Sequence, residues 1–220
     1  MSKEKNVVEF YVLCNKLKSL IRKGWKDWNV GAKRLESVAE HVYGTMMLAI
    51  AVNSEYAYDI DLKKVLYMLS IHELEEIVIG DLTMFDVTKD EKRNIGHKVV
   101  EKILQNLKNK EEIKALVFEF DEQKTKEAQF AYWCDKFEAD IQCKLYDEQK
   151  CVDLKNTNNC KALKNKEVQK YLNGNKSWAE MWLEFGRNRY SYDENFLKLS
   201  NYVEKNNISI CNKSLSKNKK

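Results

Sequence analysis

Apolar residues recur along most of this chain at three- and four-residue steps, the spacing that gathers them on one face of a helix. Val7, Phe10, Tyr11, Cys14, Leu17 and Ile21 predict a first helix with that face in the core. Ser37 with Glu40 three residues on has the form of a capping box, in which each side chain satisfies an exposed backbone N–H, so a second helix is expected from there to about Ser54. Leu62 to Ile79 predicts a third. Its Val65, Leu66, Leu69, Ile71, Ile77 and Val78 are spread too widely for a surface helix, which makes it central, and Gly80-Asp81 ends it. Further helices are expected over Lys89 to Leu107, with Ile95, Val99, Ile103 and Leu107 in step, and over Glu111 to Phe120. From Lys124 the pattern resumes with Phe130, Cys134, Phe137, Ile141 and Leu145 on one stripe and Asp135 beside it. Trp178, Met181, Trp182 and Phe185 mark another helix and Asn195 to Lys205 a terminal one, with no internal repeat. Residues 147–176, rich in Asn and Lys with weak periodicity, read as an irregular excursion or a partly mobile helix pair.

Composition agrees with this pattern. Proline is absent and glycine numbers only seven, so few residues break helices, and an all-α fold is expected. At 220 residues with no Gly-, Ser- or Pro-rich linker, one domain over 1–205 is expected, followed by a basic, disordered tail over 206–220. The net charge of +4 is carried by that tail: its last ten residues hold four lysines and no acid, leaving 4 − 4 = 0 for the body. A neutral body argues against a broad nucleic-acid-binding surface. The six cysteines (14, 134, 143, 151, 160 and 211) form no CxxC pair and read as reduced thiols. The amphipathic start and the lack of any run of about 18 apolar residues lead to the expectation of a soluble, cytoplasmic protein with no membrane partner.

The chemistry concentrates at two of only three histidines. His41 falls in the first turn of the capped helix, in Arg34-Leu-Glu-Ser-Val-Ala-Glu-His41, and His72 opens His-Glu-Leu-Glu-Glu in the central helix. Polar atoms in a central helix need partners, so His72, Glu73 and Glu76 should be satisfied by a metal, by each other or by water. With Asp135 they offer a His, His-Glu and Asp ligand set, and imidazole with carboxylate suits Mn, Fe, Co, Ni or Zn better than an all-oxygen site does. On a regular helix residues 72 and 76 share a face and 73 projects about 100° away, which leaves Glu76 free in the cleft. Taken singly, each residue has a duller reading: a hydrogen-bonded core histidine, a capping or salt-bridged aspartate, and, for Glu75 and Glu76, at least one carboxylate facing solvent. The string also differs from the zincin pattern HExxH, because Glu76 stands where the second histidine would be and His97 has no matching spacing.

Three segments in order, R-x-E-S-V-A-E-H at 34–41, H-x-x-x-E-x-x-x-G-D-x-T at 72–83 and D-K-x-E-x-x-x-Q-x-x-x-Y at 135–146, are similar to those of the HD-domain metal phosphohydrolases, 5'-deoxynucleotidase-like branch. The likeness runs from about Trp25 to Glu148. It implies an all-α HD-domain helical bundle whose single divalent metal (Mn, Co, Fe, Ni, Zn or Mg) is held by His41, His72, Glu73 and Asp135. Glu76 would orient or deprotonate the attacking water, and Asp81 would support that step or contact the substrate. The implied activity is removal of phosphate from 5'-deoxynucleoside monophosphates, or a related small phosphomonoester, by attack of metal-bound water. A homodimer is implied as well. One departure stands out: the family pattern has Asp where Glu73 stands, one methylene longer, which would shift the metal geometry. The alternative is therefore a non-catalytic HD protein that binds a nucleotide or a partner through a degraded metal site.

Arg34, Lys33 and Trp25 are candidates for substrate binding, since guanidinium grips phosphate and indole stacks on a base. Arg34 could equally salt-bridge Glu36 or Glu40. Trp25 and Trp28, in a loop bounded by Gly24 and Gly31, could plug the core edge or wall a ligand pocket. The branch's best-known enzyme has an arginine just before the tryptophan, where this chain has Gly24.

Overall fold

The computed structural model describes residues 2–157, 160–174 and 176–209. Among them the fold is all-α, as expected. There is no strand, only an isolated bridge between Ile21 and Ser37. The helices are α1 (Lys3–Cys14), α2 (Lys23–Asp27), α3 (Val38–Tyr56), α4 (Leu62–Ile71), α5 (Glu76–Ile79), α6 (Lys89–Leu104), α7 (Lys110–Glu122), α8 (Lys126–Glu148), α9 (Lys166–Asn173), α10 (Trp178–Tyr190) and α11 (Glu194–Lys205). None is long and apolar enough to cross a membrane. The five described cysteines are free thiols; Cys211 and most of the expected tail lie outside the described residues. The chain falls into two compact units, 1–26 with 35–135, and 27–34 with 136–220.

In the first unit α3 packs on α4, α4 on α7, and α6 on α7, α1 and α5. Ile71, Leu74, Val100, Leu104 and Val117 form a buried cluster there, with Phe10 and Cys14 against it. Three expectations need correction. α1 buries no residue, and Val7 and Tyr11 are 63% and 60% exposed: Phe10 and Cys14 pack against this cluster, while much of the predicted apolar face lies outside. The buried stripe of α6 is Gly96, Val100, Ile103 and Leu104: Ile103 is buried as predicted, but Gly96 and Val100 take the places expected of Ile95 and Val99, Ile95 is exposed, and the helix ends at Leu104.

The third correction bears on the site. The helix predicted from Leu62 to Ile79 is interrupted at 72–75. Leu74, Glu76, Ile77 and Val78 donate their N–H groups to Ile71, Glu73, Leu74 and Glu75, three residues back rather than four. In such a tightened turn side chains at i and i+3 eclipse, so Glu73 and Glu76 come to one face. Sequence periodicity pairs 72 with 76 instead. The tightening adds about 20° per residue relative to an α-helix, about 80° over four positions, which carries Glu76 away from His72 and onto the face of Glu73.

In the second unit α10 packs on α9 and α11. Residues 147–176 include short 3-10 turns at Leu154–Asn156 and Lys161–Lys164 before α9. The segment 27–34 is tied to this part of the chain by Gly31 N–H to Cys151 C=O, 2.6 Å, and by Asn29 Nδ2 to Asn156 C=O, 3.1 Å. Trp28 sits in an indole cluster with Trp178 and Trp182, ring centroids 5.5–6.3 Å apart, which favours the plug reading for this tryptophan.

On the second half of α8 the buried positions are Phe137, Asp140, Cys143 and Tyr146, whereas Ile141 and Leu145 are half-buried. Asp140 accepts a hydrogen bond from the Tyr192 hydroxyl at 3.0 Å. A Cβ at Gly186 would lie 2.6 Å from its Oδ2, so glycine there is what lets α10 approach. Burial pushes the Asp140 carboxyl well above its ordinary range, opposed by Tyr192, Arg187, Trp182 and Lys136. Above about pH 4 the unfolded chain gives up this proton while the folded chain keeps it, so stability should fall as pH rises, by at most about 1.4 kcal/mol per pH unit. Asp140→Asn removes that penalty: in urea denaturation its stability relative to wild type should be greater at pH 8 than at pH 4. A difference independent of pH would show that Asp140 is ionised in the folded protein.

Candidate active site

Four of the residues singled out in the sequence meet in the first unit. His41, His72, Glu73 and Asp135 are all buried, and each offers a donor atom within 4.8 Å of the others. His41 is placed by its capping box. Ser37 Oγ accepts the Glu40 N–H at 3.3 Å and Glu40 Oε2 accepts the Ser37 N–H at 2.8 Å, starting α3 four residues before the histidine. Its Nε2 lies 3.0 Å from Asp135 Oδ1 and 3.9 Å from Glu73 Oε1. His72 donates from Nδ1 to the Leu69 carbonyl at 2.7 Å, since a carbonyl can only accept. That fixes the tautomer and leaves the Nε2 lone pair free.

The Nε2 of His72 is buried and has no hydrogen-bond partner. It faces Glu73 Oε1 at 3.6 Å and Asp135 Oδ1 at 3.9 Å, and carboxylate oxygens cannot donate to it. A buried lone pair facing two carboxylates calls for a positive charge among them, which a metal ion or a proton supplies. For bonds of about 2.1 Å, ligand atoms sit roughly 3.0–3.4 Å apart; the His41–Asp135 pair is at 3.0 Å and the other three histidine–carboxylate pairs are wider, at 3.6–3.9 Å. Burial holds the His72 imidazole below its ordinary pKa, against the pull of Glu73 and Asp135, in the neutral form that binds metals. For Glu73, burial would raise the carboxyl, but the Lys92 ammonium and the Arg22 guanidinium beside it hold it down at about 2. The donor set therefore fits a divalent ion, and the longer arm of Glu73 still brings an oxygen into it.

Glu76 stands beside this cluster, 1% exposed. Its Oε1 accepts from Lys92 Nζ at 2.7 Å, and its Oε2 is buried without a partner. Burial and the Glu73 charge push its pKa well up, with Lys92 opposing. Glu75 does not face solvent either: it is half-buried, and burial with the Glu73 charge pushes its carboxyl up to about 8. The expectation of a solvent-facing glutamate at 75 or 76 is thus not met.

Asp81 holds the chain before α2. Its Oδ2 accepts the Lys23 N–H at 2.6 Å and lies 3.9 Å from Arg22 Nε. Arg22 Nη1 also reaches Glu73 Oε1 at 3.5 Å. Burial lowers the Arg22 pKa, but Asp81, Glu73, Glu36 and Glu76 raise it further, so the guanidinium stays charged. Glu36 accepts the Trp25 indole N–H at 2.8 Å, and Trp25 is 1% exposed, a packed ring rather than an open stacking surface. Glu40 is engaged in the helix cap. Lys33 and Arg34 are exposed residues of the second unit.

Two cations touching the site's carboxylates went unpredicted. Arg22 precedes Gly24-Trp25, outside any periodic stretch. Lys92 was open to detection: the buried stripe Gly96, Val100 and Ile103, carried back one turn, arrives at 92, so this lysine occupies the inward register of an amphipathic helix.

Comparison with known proteins agrees with this geometry. The family profile described as HD domain matches residues 14–176. The chain is 34% identical over 152 residues to the 5'-deoxynucleotidase HDDC2 of Dictyostelium discoideum, covering 66% of this chain and 79% of that protein. It is 30% identical over 155 residues to the 5'-deoxynucleotidase hdd1 of Schizosaccharomyces pombe, covering 67% and 76%. Among solved structures, a predicted metal-dependent phosphohydrolase from Magnetospirillum magnetotacticum superposes with a TM-score of 0.61 at 20% identity, covering 92% of this chain and 91% of that one, which shows a shared fold.

Proposed function

The chain belongs to the HD-domain family, and from that membership we propose that it is a metal-dependent phosphomonoesterase acting on 5'-deoxynucleoside monophosphates or a related small phosphate. The observation that carries the proposal is the four-residue donor cluster with the unpartnered Nε2 of His72, next to the buried carboxylate of Glu76. His41, His72, Glu73 and Asp135 would hold one divalent ion, with Mn, Co, Fe, Ni, Zn and Mg as the candidates. When bound, that ion would lower the pKa of water and stabilise charge on phosphoryl oxygens.

The chain's own residues do the rest. Glu76, with its raised pKa, is a good proton acceptor, and it takes one proton from the attacking water as that oxygen bonds to phosphorus. The ester P–O bond breaks, the departing nucleoside oxygen takes up the proton, and hydrogen phosphate leaves with the other. Asp81 keeps Arg22 and the start of α2 in place, which puts a charged guanidinium beside Glu73, where it could grip phosphate. Lys33 and Arg34 remain in the proposal as substrate-binding residues and a homodimer as its assembly, whereas Trp25, buried with its indole N–H on Glu36, offers no face for a base to stack on. The alternative of a degraded metal site loses its ground, because the Glu73 oxygen lies within the donor set.

Phosphate release should be measured from ribo- and deoxynucleoside 5'-monophosphates with Mn, Co, Ni, Zn and Mg each supplied. Metal-dependent release, faster from the deoxy series, is the expected result; no release with any ion would favour the binding-protein alternative. Arg22→Ala should raise KM by about tenfold or more with a smaller effect on kcat. An unchanged KM would exclude Arg22 from phosphate binding.

A further inference from the structure

The two oxygens of Glu76 are not equivalent. Oε1 is bonded to Lys92 Nζ at 2.7 Å, and Oε2 is buried with nothing to bond. The same Nζ lies 3.8 Å from Glu73 Oε2, while the other Glu73 oxygen belongs to the donor cluster. The tightened 72–75 turn brings Glu73 and Glu76 to one face, and α6 presents Lys92 to that face. Gly96, one turn further along α6, allows the approach: a Cβ there would lie 3.1 Å from Glu75 Cγ.

We propose that Lys92 is a positioning residue for hydrolysis, which by holding Oε1 of Glu76 commits Oε2 to the attacking water. The inference rests on the reading of Glu76 as the proton acceptor. An unrestrained carboxylate could swing about its terminal torsion, which is broad, and spend part of its time with neither oxygen aimed at the water. A single ammonium fixed from the α6 side removes that freedom, and orientation of a reacting group is worth much of a catalytic rate. Because the ammonium also faces Glu73, it fixes the base and one cluster carboxylate relative to each other.

The test is a double-mutant cycle on the metal-reconstituted full chain: wild type, Lys92→Met, Glu76→Gln and the double variant, assayed with a 5'-deoxynucleoside monophosphate. Lys92→Met should lower kcat by about 30-fold or more, keep KM within about threefold and leave metal content unchanged. In the Glu76→Gln background the same change should alter kcat by less than about threefold, because the carboxylate it orients is gone. Near-wild-type kcat for Lys92→Met, or equal losses in the two backgrounds, overturns the proposal while leaving Glu76 as the base. Near-wild-type kcat for Glu76→Gln overturns the base reading itself, and the proposal with it. If Lys92→Met does not fold, as thermal melting would show, Lys92→Arg carries the cycle. Its guanidinium cannot place one ammonium against Oε1, so about a fivefold loss is expected that vanishes in Glu76→Gln. Wild-type kcat for Lys92→Arg, or an equal loss in both backgrounds, overturns the proposal.

Discussion

Glu76→Gln is expected to lower turnover by about 10²–10⁴-fold while the protein keeps its metal. The reason is geometric. His41, His72, Glu73 and Asp135 form the donor cluster without Glu76, so the amide should leave metal content as in wild type. Glutamine preserves the size of the side chain and can still contact its surroundings, but it cannot take a proton from water at neutral pH. Burial and the neighbouring Glu73 charge, which raise the carboxyl's proton affinity, are what make the native group an acceptor, and both act on a group that glutamine removes. Full turnover in Glu76→Gln would take this residue out of the mechanism; lost metal would place it among the ligands.

His72→Ala should behave in the opposite way, losing the metal first and activity as a consequence. Nε2 of His72 is the one cluster donor with no other partner, and its orientation is fixed from behind by the Leu69 carbonyl. Alanine deletes this nitrogen and leaves Glu73 and Asp135 to hold the ion with His41. Loss of even a supporting partner typically lowers metal affinity by about 10–100-fold, so loss of a ligand should exceed about a hundredfold. Metal analysis after gel filtration should find the variant nearly empty, with phosphate release at background. Unchanged metal content would overturn the ligand assignment.

The contrast between the two variants reflects what local sequence makes visible. The position of His41 was legible because Ser37 and Glu40 fix the start of α3, and the structure has both hydrogen bonds of that box. Asp135 was legible as a residue flanking the apolar stripe of a long helix. The tightened turn at 72–75 was not, because Leu74 and Ile77 keep their apolar phase whether the chain bonds three or four residues back. Without that turn, Glu76 pairs with His72 in the mind's helix; with it, Glu76 pairs with Glu73, and a shared lysine becomes possible. Lys92 itself carried a readable register but reads as a solvated charge until α5 is known to lie against α6. Val7 and Tyr11 show the reverse error: periodicity identifies a face, and only packing decides whether anything covers it. Asp140 was missed on α8 because an acid at a buried position is explained only by the Tyr192 hydroxyl, 52 residues away.

The most direct test of the account is to strip the purified protein with chelator and titrate Co²⁺ back, measuring bound metal and phosphate release from a 5'-deoxynucleoside monophosphate in the same samples. The stripped protein should be inactive, and release should grow in proportion to bound metal, levelling off at about one ion per chain, the capacity of a single four-donor cluster. Metal bound to saturation without release, or release from the stripped protein, would contradict this expectation.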